Sequence, residues 1–190
     1  QAVRTFNWSY RDKYEPVELF GKNLLIVGYG RIGQKVAQLA EAFGMKINIY
    51  DPYILAKIPK EYKYFSRLEE AFGISDCISL NLPKVEKPII SQKNAKYLKP
   101  GVVIINTARG GLIDLNTLKE GLQSGVIAGA GLDVFDTEPP DQKMILKDFR
   151  QVILTPHQAG LSAESAKRMS LKSVQNIIDF FNGNLDSNLI

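Results

Sequence analysis

Residues 21–51 read GKNLLIVGYGRIGQKVAQLAEAFGMKINIYD, and no other stretch restricts the fold as tightly. An apolar run from Leu24 to Val27 ends in Gly28-Tyr29-Gly30-Arg31-Ile32-Gly33. A helix-like segment follows, and a second apolar run (Ile47-Asn48-Ile49-Tyr50) stops at Asp51. The pattern predicts a strand, a glycine-rich turn, a helix and a second strand with a carboxylate at its carboxyl end. Each part has a physical role if the ligand is a dinucleotide. Gly28 permits the tight turn off the strand, and Gly30 lets the backbone approach a pyrophosphate. Gly33 lets the helix pack close to the sheet, with its free N–H groups facing the phosphates. Asp51 is placed to accept hydrogen bonds from a ribose diol and to repel a 2′-phosphate, with Lys57 and Lys60 the only nearby cations to offset that repulsion. Arg31, Ile32 and Pro52 lie within or beside these motifs and are expected to line the same site. NAD(H) is the cofactor this arrangement predicts. Ordinary turn glycines and a solvated strand end would leave the joint spacing to chance. A methyltransferase, which also has a glycine-rich first turn and an acid after the second strand, is the competing reading at this point.

The alternation continues along the chain. Strand-like runs recur at 77–82, 102–106, 127–134 and 152–154, with helical patterns at 66–72, 91–97 and 114–124. Short apolar runs bounded by Gly and Pro, with amphipathic segments between, specify an α/β fold: a Rossmann-type, doubly wound parallel sheet with helices on both faces. Asp114 and Gly125 are placed as N-cap and C-cap of the helix between them. The first twenty residues, with Trp8, Tyr10, Tyr14 and Phe20, stand outside the alternation and read as a leading helix or arm. From 162 to 181 runs one long helical pattern whose apolar stripe is Ala166, Met169, Val174, Ile177, Ile178 and Phe181. With 190 residues, 45% of them hydrophobic and 23% charged, the chain has the make-up of one soluble globular domain. Its net charge of +4 is spread along the sequence, as on a solvated surface rather than a nucleic-acid face. No apolar run approaches the ~20 residues of a membrane span, and no signal peptide opens the chain, so a cytoplasmic setting is expected. The single cysteine, Cys77, excludes an intramolecular disulfide.

The chemistry is carried by the second half. Asn106-Thr107-Ala108-Arg109-Gly110-Gly111, Asp133-Val134-Phe135-Asp136-Thr137-Glu138-Pro139 and Thr155-Pro156-His157-Gln158-Ala159-Gly160 each sit at the carboxyl end of an expected strand. Ligands of open α/β sheets bind outside the carboxyl ends of the strands, so an arginine, an acid and the only histidine converge on one edge. Hydride transfer to a 2-keto acid needs a fixed cation for the carboxylate and a proton donor that titrates near neutrality. It also needs a carboxylate to orient that donor and stabilise its charged form. Arg109, His157 and Glu138 match these needs, and no metal ion is called for. Composition alone does not choose among Asp133, Asp136 and Glu138 for the third role.

The chain resembles the coenzyme-binding domain of the D-isomer-specific 2-hydroxyacid dehydrogenases. The likeness runs from Phe20-Gly21-Lys22 through VGYGRIG, AFGM, YDPY, LKPGVVIINTARGGLID, GAGLDVFDTEPP and LTPHQAG to the final helix. A methyltransferase has no counterpart to the last three. The resemblance implies that Arg109 binds a small 2-hydroxy or 2-keto acid and that Glu138 pairs with His157, the acid/base. It also implies that Asp133 holds the nicotinamide carboxamide and that Thr107 and Ala108 line the nicotinamide pocket. Leu82, Pro83, Ala159 and Gly160, with Arg109 and His157, complete the expected cofactor contacts. Glu rather than Gln at 138 favours a hydroxyacid over a formate dehydrogenase. Where the family reads His-x-Pro-Leu-Thr and a second Thr, this chain has Asn81-Leu82-Pro83-Lys84-Val85-Glu86-Lys87-Pro88, so the wall of the cofactor cleft is altered. The family's second lobe has no counterpart here. The expected organisation is a leading arm (1–20), a dinucleotide-binding domain (21–161) and a C-terminal helix with the start of a return segment (162–190). A homodimer is expected from the resemblance, from the apolar residues around Ile104 to Leu118 and from Trp8 and Tyr10 in the arm. A non-catalytic, NAD(H)-sensing corepressor of the same superfamily is the alternative function.

Overall fold

The computed structural model describes residues 3–13, 16–54, 58–141 and 146–184. Among them lies a seven-stranded sheet whose pairings are all parallel. Its strands are β1 (Asn23–Val27), β2 (Lys46–Tyr50), β3 (Lys63–Tyr64), β4 (Cys77–Leu80), β5 (Val102–Asn106), β6 (Ile127–Leu132) and β7 (Val152–Leu154). They stand in the order β3-β2-β1-β4-β5-β6-β7. The chain builds outward from β1 to β3, then returns to the other side of β1 and builds outward again. The order therefore reverses between β1 and β4, which opens a crevice at their carboxyl ends.

Helices α1 (Arg31–Ala42), α2 (Leu68–Phe72), α3 (Leu115–Ser124) and α4 (Ala163–Phe181) follow from the apolar spacing. Because strand side chains alternate, β1 sends Leu24 and Ile26 to one face, where they meet Ala37 and Ala40 of α1. Leu25 and Val27 go to the other face, in one cluster with Phe72 of α2 and Leu118 of α3. Both faces are covered, so β1 is apolar from Leu24 to Val27 instead of alternating. Leu25, Ile26, Ile78 and Ile104 are wholly enclosed, and each contributes roughly 1.5–3 kcal/mol. A Cβ on Gly33 would run into the Gly28 carbonyl oxygen, so α1 meets the end of β1 at a distance only glycine allows. Asp114 caps α3 by accepting from the Thr117 N–H at 2.7 Å, and Gly125 closes it at φ 78°. Ser162 and Ser165 form a capping box at the start of α4.

Several expectations are corrected. The 91–97 helix is only a 3-10 turn, Ala95–Tyr97. The Asn94 side chain accepts from the Ser91 N–H and donates to the Ile89 carbonyl, diverting that backbone from a helical ladder. The strands expected at 77–82 and 127–134 each stop two residues earlier, and the two-residue edge strand β3 had no apolar signature. The leading segment forms 3-10 turns at Val3–Thr5 and Trp8–Lys13, with Phe6 and Trp8 exposed. Tyr14, also assigned to that arm, lies outside the described residues, as does Lys57. Ile104, Leu112, Ile113 and Leu118 pack inside the domain's own core and so give no support to a dimer. The exposed apolar surface is instead on α4, which buries none of its residues and displays Met169, Val174, Ile177 and Phe181. Burial pushes the Cys77 thiol up to about 11, so it is a packing group rather than a thiolate at neutral pH. No helix among the described residues is long and apolar enough to cross a membrane.

Candidate active site and cofactor cleft

Parallel register aligns the strand ends. Tyr50, Val27, Leu80, Asn106, Leu132 and Leu154 are successive partners across the sheet. The residues that follow them are Asp51, Gly28, Asn81, Thr107, Asp133 and Thr155. Every segment singled out for chemistry therefore leaves the sheet from one row.

On the β1 side of that row, Gly28 turns at φ 91°, and a Cβ there would lie 2.6 Å from the Asn81 carbonyl oxygen. Asp51 is 8% exposed. Its carboxylate accepts from the Tyr29 N–H at 2.8 Å and the Tyr53 N–H at 2.9 Å, which pins it to the glycine turn. Each oxygen keeps a lone pair for a ribose hydroxyl. Gly30 stands at the N-cap of α1 and offers no side-chain cap, the first turn holds no acid, and the space over Gly30 is open. That helix end suits an anion. Beside it, Ile32, Leu82, Pro83, Thr107, Ala108 and Arg109 line a cavity of about 240 Å³. Arg31 and Pro52 are exposed and outside this lining.

On the other side, Asn106 is 3% exposed and shapes the turn after β5. Its side chain accepts from the Ala108 N–H at 3.1 Å and donates to the Arg109 carbonyl at 2.9 Å. The exposed Arg109 guanidinium donates to the Ala108 carbonyl at 2.6 Å. A Cβ on Gly110 would enter the Phe135 carbonyl, so this turn lies directly on the segment after β6. There the three acids separate. Asp133 is 2% exposed and accepts from the Thr155 hydroxyl at 2.5 Å and from the Gln158 and Ala159 N–H groups, both at 2.9 Å. Burial alone would push its carboxyl up, but these hydrogen bonds outweigh that and hold it below the usual carboxylate range. Its own carbonyl accepts from the His157 N–H at 2.9 Å, and His157 adopts a left-handed φ of 51°. Asp133 thus builds the loop that carries the histidine. Glu138 takes the His157 ring: Nδ1 lies 2.6 Å from Oε2, while Oε1 accepts from the Phe135 N–H at 3.0 Å. The histidine's hydrogen bond and then the Phe135 N–H hold the Glu138 carboxyl below its ordinary range. Asp136 remains exposed.

Arg109, Gly110, Glu138 and His157 line a second recess of about 270 Å³ together with Lys84 and Asp136. Arg109 belongs to both cavities and stands at their junction. Ala159 and Gly160 serve the scaffold: the Gly160 carbonyl accepts from the Ser165 hydroxyl at 2.7 Å, joining the loop to the α4 cap. Sequence reasoning had not assigned Asn106, Thr155 or Lys84. An Asn at the last position of a strand before a turn is a usable signal, since its side chain folds back on nearby backbone.

Residues 1–159 match the family described as D-isomer specific 2-hydroxyacid dehydrogenase, NAD binding domain. The chain belongs to that family. Among relatives of this NAD-binding domain, the D-3-phosphoglycerate dehydrogenase of Bacillus subtilis (strain 168) is 38% identical over 186 residues, covering 96% of this chain and 35% of that protein. The hydroxypyruvate reductase of Thermotoga maritima is 44% identical over 168 residues, covering 84% of this chain and 53% of that protein. The solved D-lactate dehydrogenase of Aquifex aeolicus, complexed with NAD and lactic acid, superposes with a TM-score of 0.83 at 31% identity, covering 96% of this chain and 60% of its own. The domain therefore spans about half, or less, of the curated relatives it matches. Their activities support the oxidoreductase reading over the sensing alternative.

Proposed function

We propose that the protein carrying this domain is an NAD-dependent D-2-hydroxyacid dehydrogenase that interconverts a small 2-hydroxy acid and its 2-keto acid. The observation that carries this reading is the 2.6 Å His157–Glu138 pair, set in one recess with Arg109 beside the cleft. NAD(H), when bound, supplies or accepts the hydride. The residues at hand fit it: an uncapped helix start, open space over Gly30 and a pinned Asp51. Thr107 and Ala108 would line the nicotinamide pocket, and the Asp133 carboxylate retains acceptor capacity for the carboxamide. Arg109 would hold the substrate carboxylate and polarise the adjacent carbonyl. His157, held by Glu138 through Nδ1, would present Nε2 to the carbonyl oxygen and deliver the proton. Glu138 would stabilise the imidazolium that precedes transfer.

The substrate lobe is assigned to another part of the full-length protein, in line with the greater length of the relatives. A cytoplasmic homodimer, joined through the exposed apolar face of α4 and the leading arm, completes the proposal. Calorimetric titration checks the cofactor assignment. NADH should bind more tightly than NADPH, because Asp51 lies where a 2′-phosphate would add a second negative charge, and Asp51→Ala should narrow the gap. Tighter NADPH binding by the unmodified protein rejects it.

A further inference from the structure

The recess holds one more cation than the reaction just proposed requires. Arg109 suffices for the carboxylate of a 2-keto acid, and His157 for the proton. Lys84 nevertheless lines the same recess. It is absent from the lining of the adjoining cleft, although its neighbours Leu82 and Pro83 are there. The chain thus crosses from the cofactor wall to the substrate recess between Pro83 and Lys84. Lys84 forms no ion pair with any described residue. Of the two acids in the recess, Glu138 is already engaged by His157 and the Phe135 N–H, and Asp136 is solvated. A monoanionic substrate would leave the Lys84 ammonium without a partner. A substrate with a second anionic group at the end away from the keto acid would match both cations at once.

We infer that Lys84 is a specificity-determining residue that selects 2-keto and 2-hydroxy acids bearing a second, distal anionic group, either phosphate or carboxylate. This rests on the proposed dehydrogenase function and names the substrate class of that site. A lysine suits the task because its ammonium is a compact point charge on a flexible stem, able to follow a terminal group while Arg109 holds the carboxylate. Because Lys84 is solvent-accessible, its contribution should weaken as ionic strength rises.

Initial-rate kinetics on the full-length protein with NADH test this, using glyoxylate as the singly charged probe. 2-Oxoglutarate and 3-phosphohydroxypyruvate serve as the multiply charged probes. One of the latter two should show a kcat/KM at least tenfold above that of glyoxylate, and which one does so identifies the terminal group as carboxylate or phosphate. Lys84→Met should raise KM for that substrate at least tenfold more than for glyoxylate, and Lys84→Arg should restore most of the difference. Equal changes for all probes, or a parallel loss of NADH binding measured by fluorescence, would place Lys84 on the cofactor or the fold and overturn the inference. So would an unchanged KM for the favoured substrate in Lys84→Met. If the unmodified protein reduces none of the probes, the dehydrogenase proposal itself fails and this inference falls with it, an outcome set apart by the absence of any wild-type rate.

Discussion

Glu138 divides its two carboxylate oxygens between the His157 ring and the Phe135 N–H, so the histidine is aimed by a side chain that is itself anchored to backbone. His157→Ala should lower turnover on the order of 10²–10⁴-fold, the range for a lost general acid/base. NADH binding should stay close to normal, since the groups around Asp51 and Gly30 lie elsewhere in the row. Near-normal turnover by the variant in single-turnover experiments would remove His157 from the mechanism. Glu138→Gln keeps the hydrogen-bonding shape and removes the charge. The hydrogen bond from His157 holds the Glu138 carboxyl below its ordinary range, so turnover that depends on this carboxylate should fall only as pH drops through that lowered value, and the Gln variant should lack this acid limb. An acid limb retained in full by Glu138→Gln would show that another group titrates there. Composition did not choose Glu138 over Asp133 and Asp136, because all three follow the same strand; the resemblance alone assigned Glu138 to the histidine. The choice is decided by which carboxylate is buried under the Thr155, Gln158 and Ala159 donors and which reaches the ring.

At the level of elements, local signals succeeded where one strong physical preference acted alone. The apolar runs of β1, β5 and β7 lie at the expected positions, and α3 begins and ends at the residues whose chemistry favours caps. They failed where two preferences competed. Residues 91–97 carry a helical pattern, yet the Asn94 side chain gives the backbone other partners. β3 is held by pairing with β2 rather than by any pattern of its own. The α3 cap permits a quantitative check. Hydrogen bonds from the Thr117 N–H and hydroxyl hold the Asp114 carboxyl below its ordinary range. A carboxyl depressed in the folded state stabilises the fold above its unfolded pKa, and this contribution is lost as pH falls through the folded value. Asp114→Ala should therefore cost about 0.5–2 kcal/mol at neutral pH. The difference from the unmodified protein should shrink below about pH 4. Urea denaturation at several pH values measures it, and a pH-independent difference would show that the charge is irrelevant.

For the molecule as a whole, the parallel sheet with helices on both faces was readable, because a run as apolar as Leu24 to Val27 must be covered on both sides, whereas the edge position of β3 was not. Surface assignment was less so. The Ile104 to Leu118 segment and the α4 stripe both carry apolar residues, and only the fold shows that the first is buried in the core while the second faces outward. The homodimer proposed through α4 and the arm predicts a doubled mass by light scattering at tens of micromolar. It also predicts that Ile177→Glu, which puts a charge on the exposed stripe, drives the protein toward monomers. A monomeric unmodified protein would dispose of the idea.

The single row from which Asp51, Gly28, Asn81, Thr107, Asp133 and Thr155 leave the sheet ties two requirements together. Side chains alternate faces with a period of two, so a slip of one residue would turn Leu25 and Val27 out of one core and force Leu24 and Ile26 out of the other. The same slip would carry Gly28 away from Asn81, or Asp133 away from Thr155. Hydrophobic burial thereby proofreads the chemistry: a chain that has found its cores has already set its polar strand ends side by side.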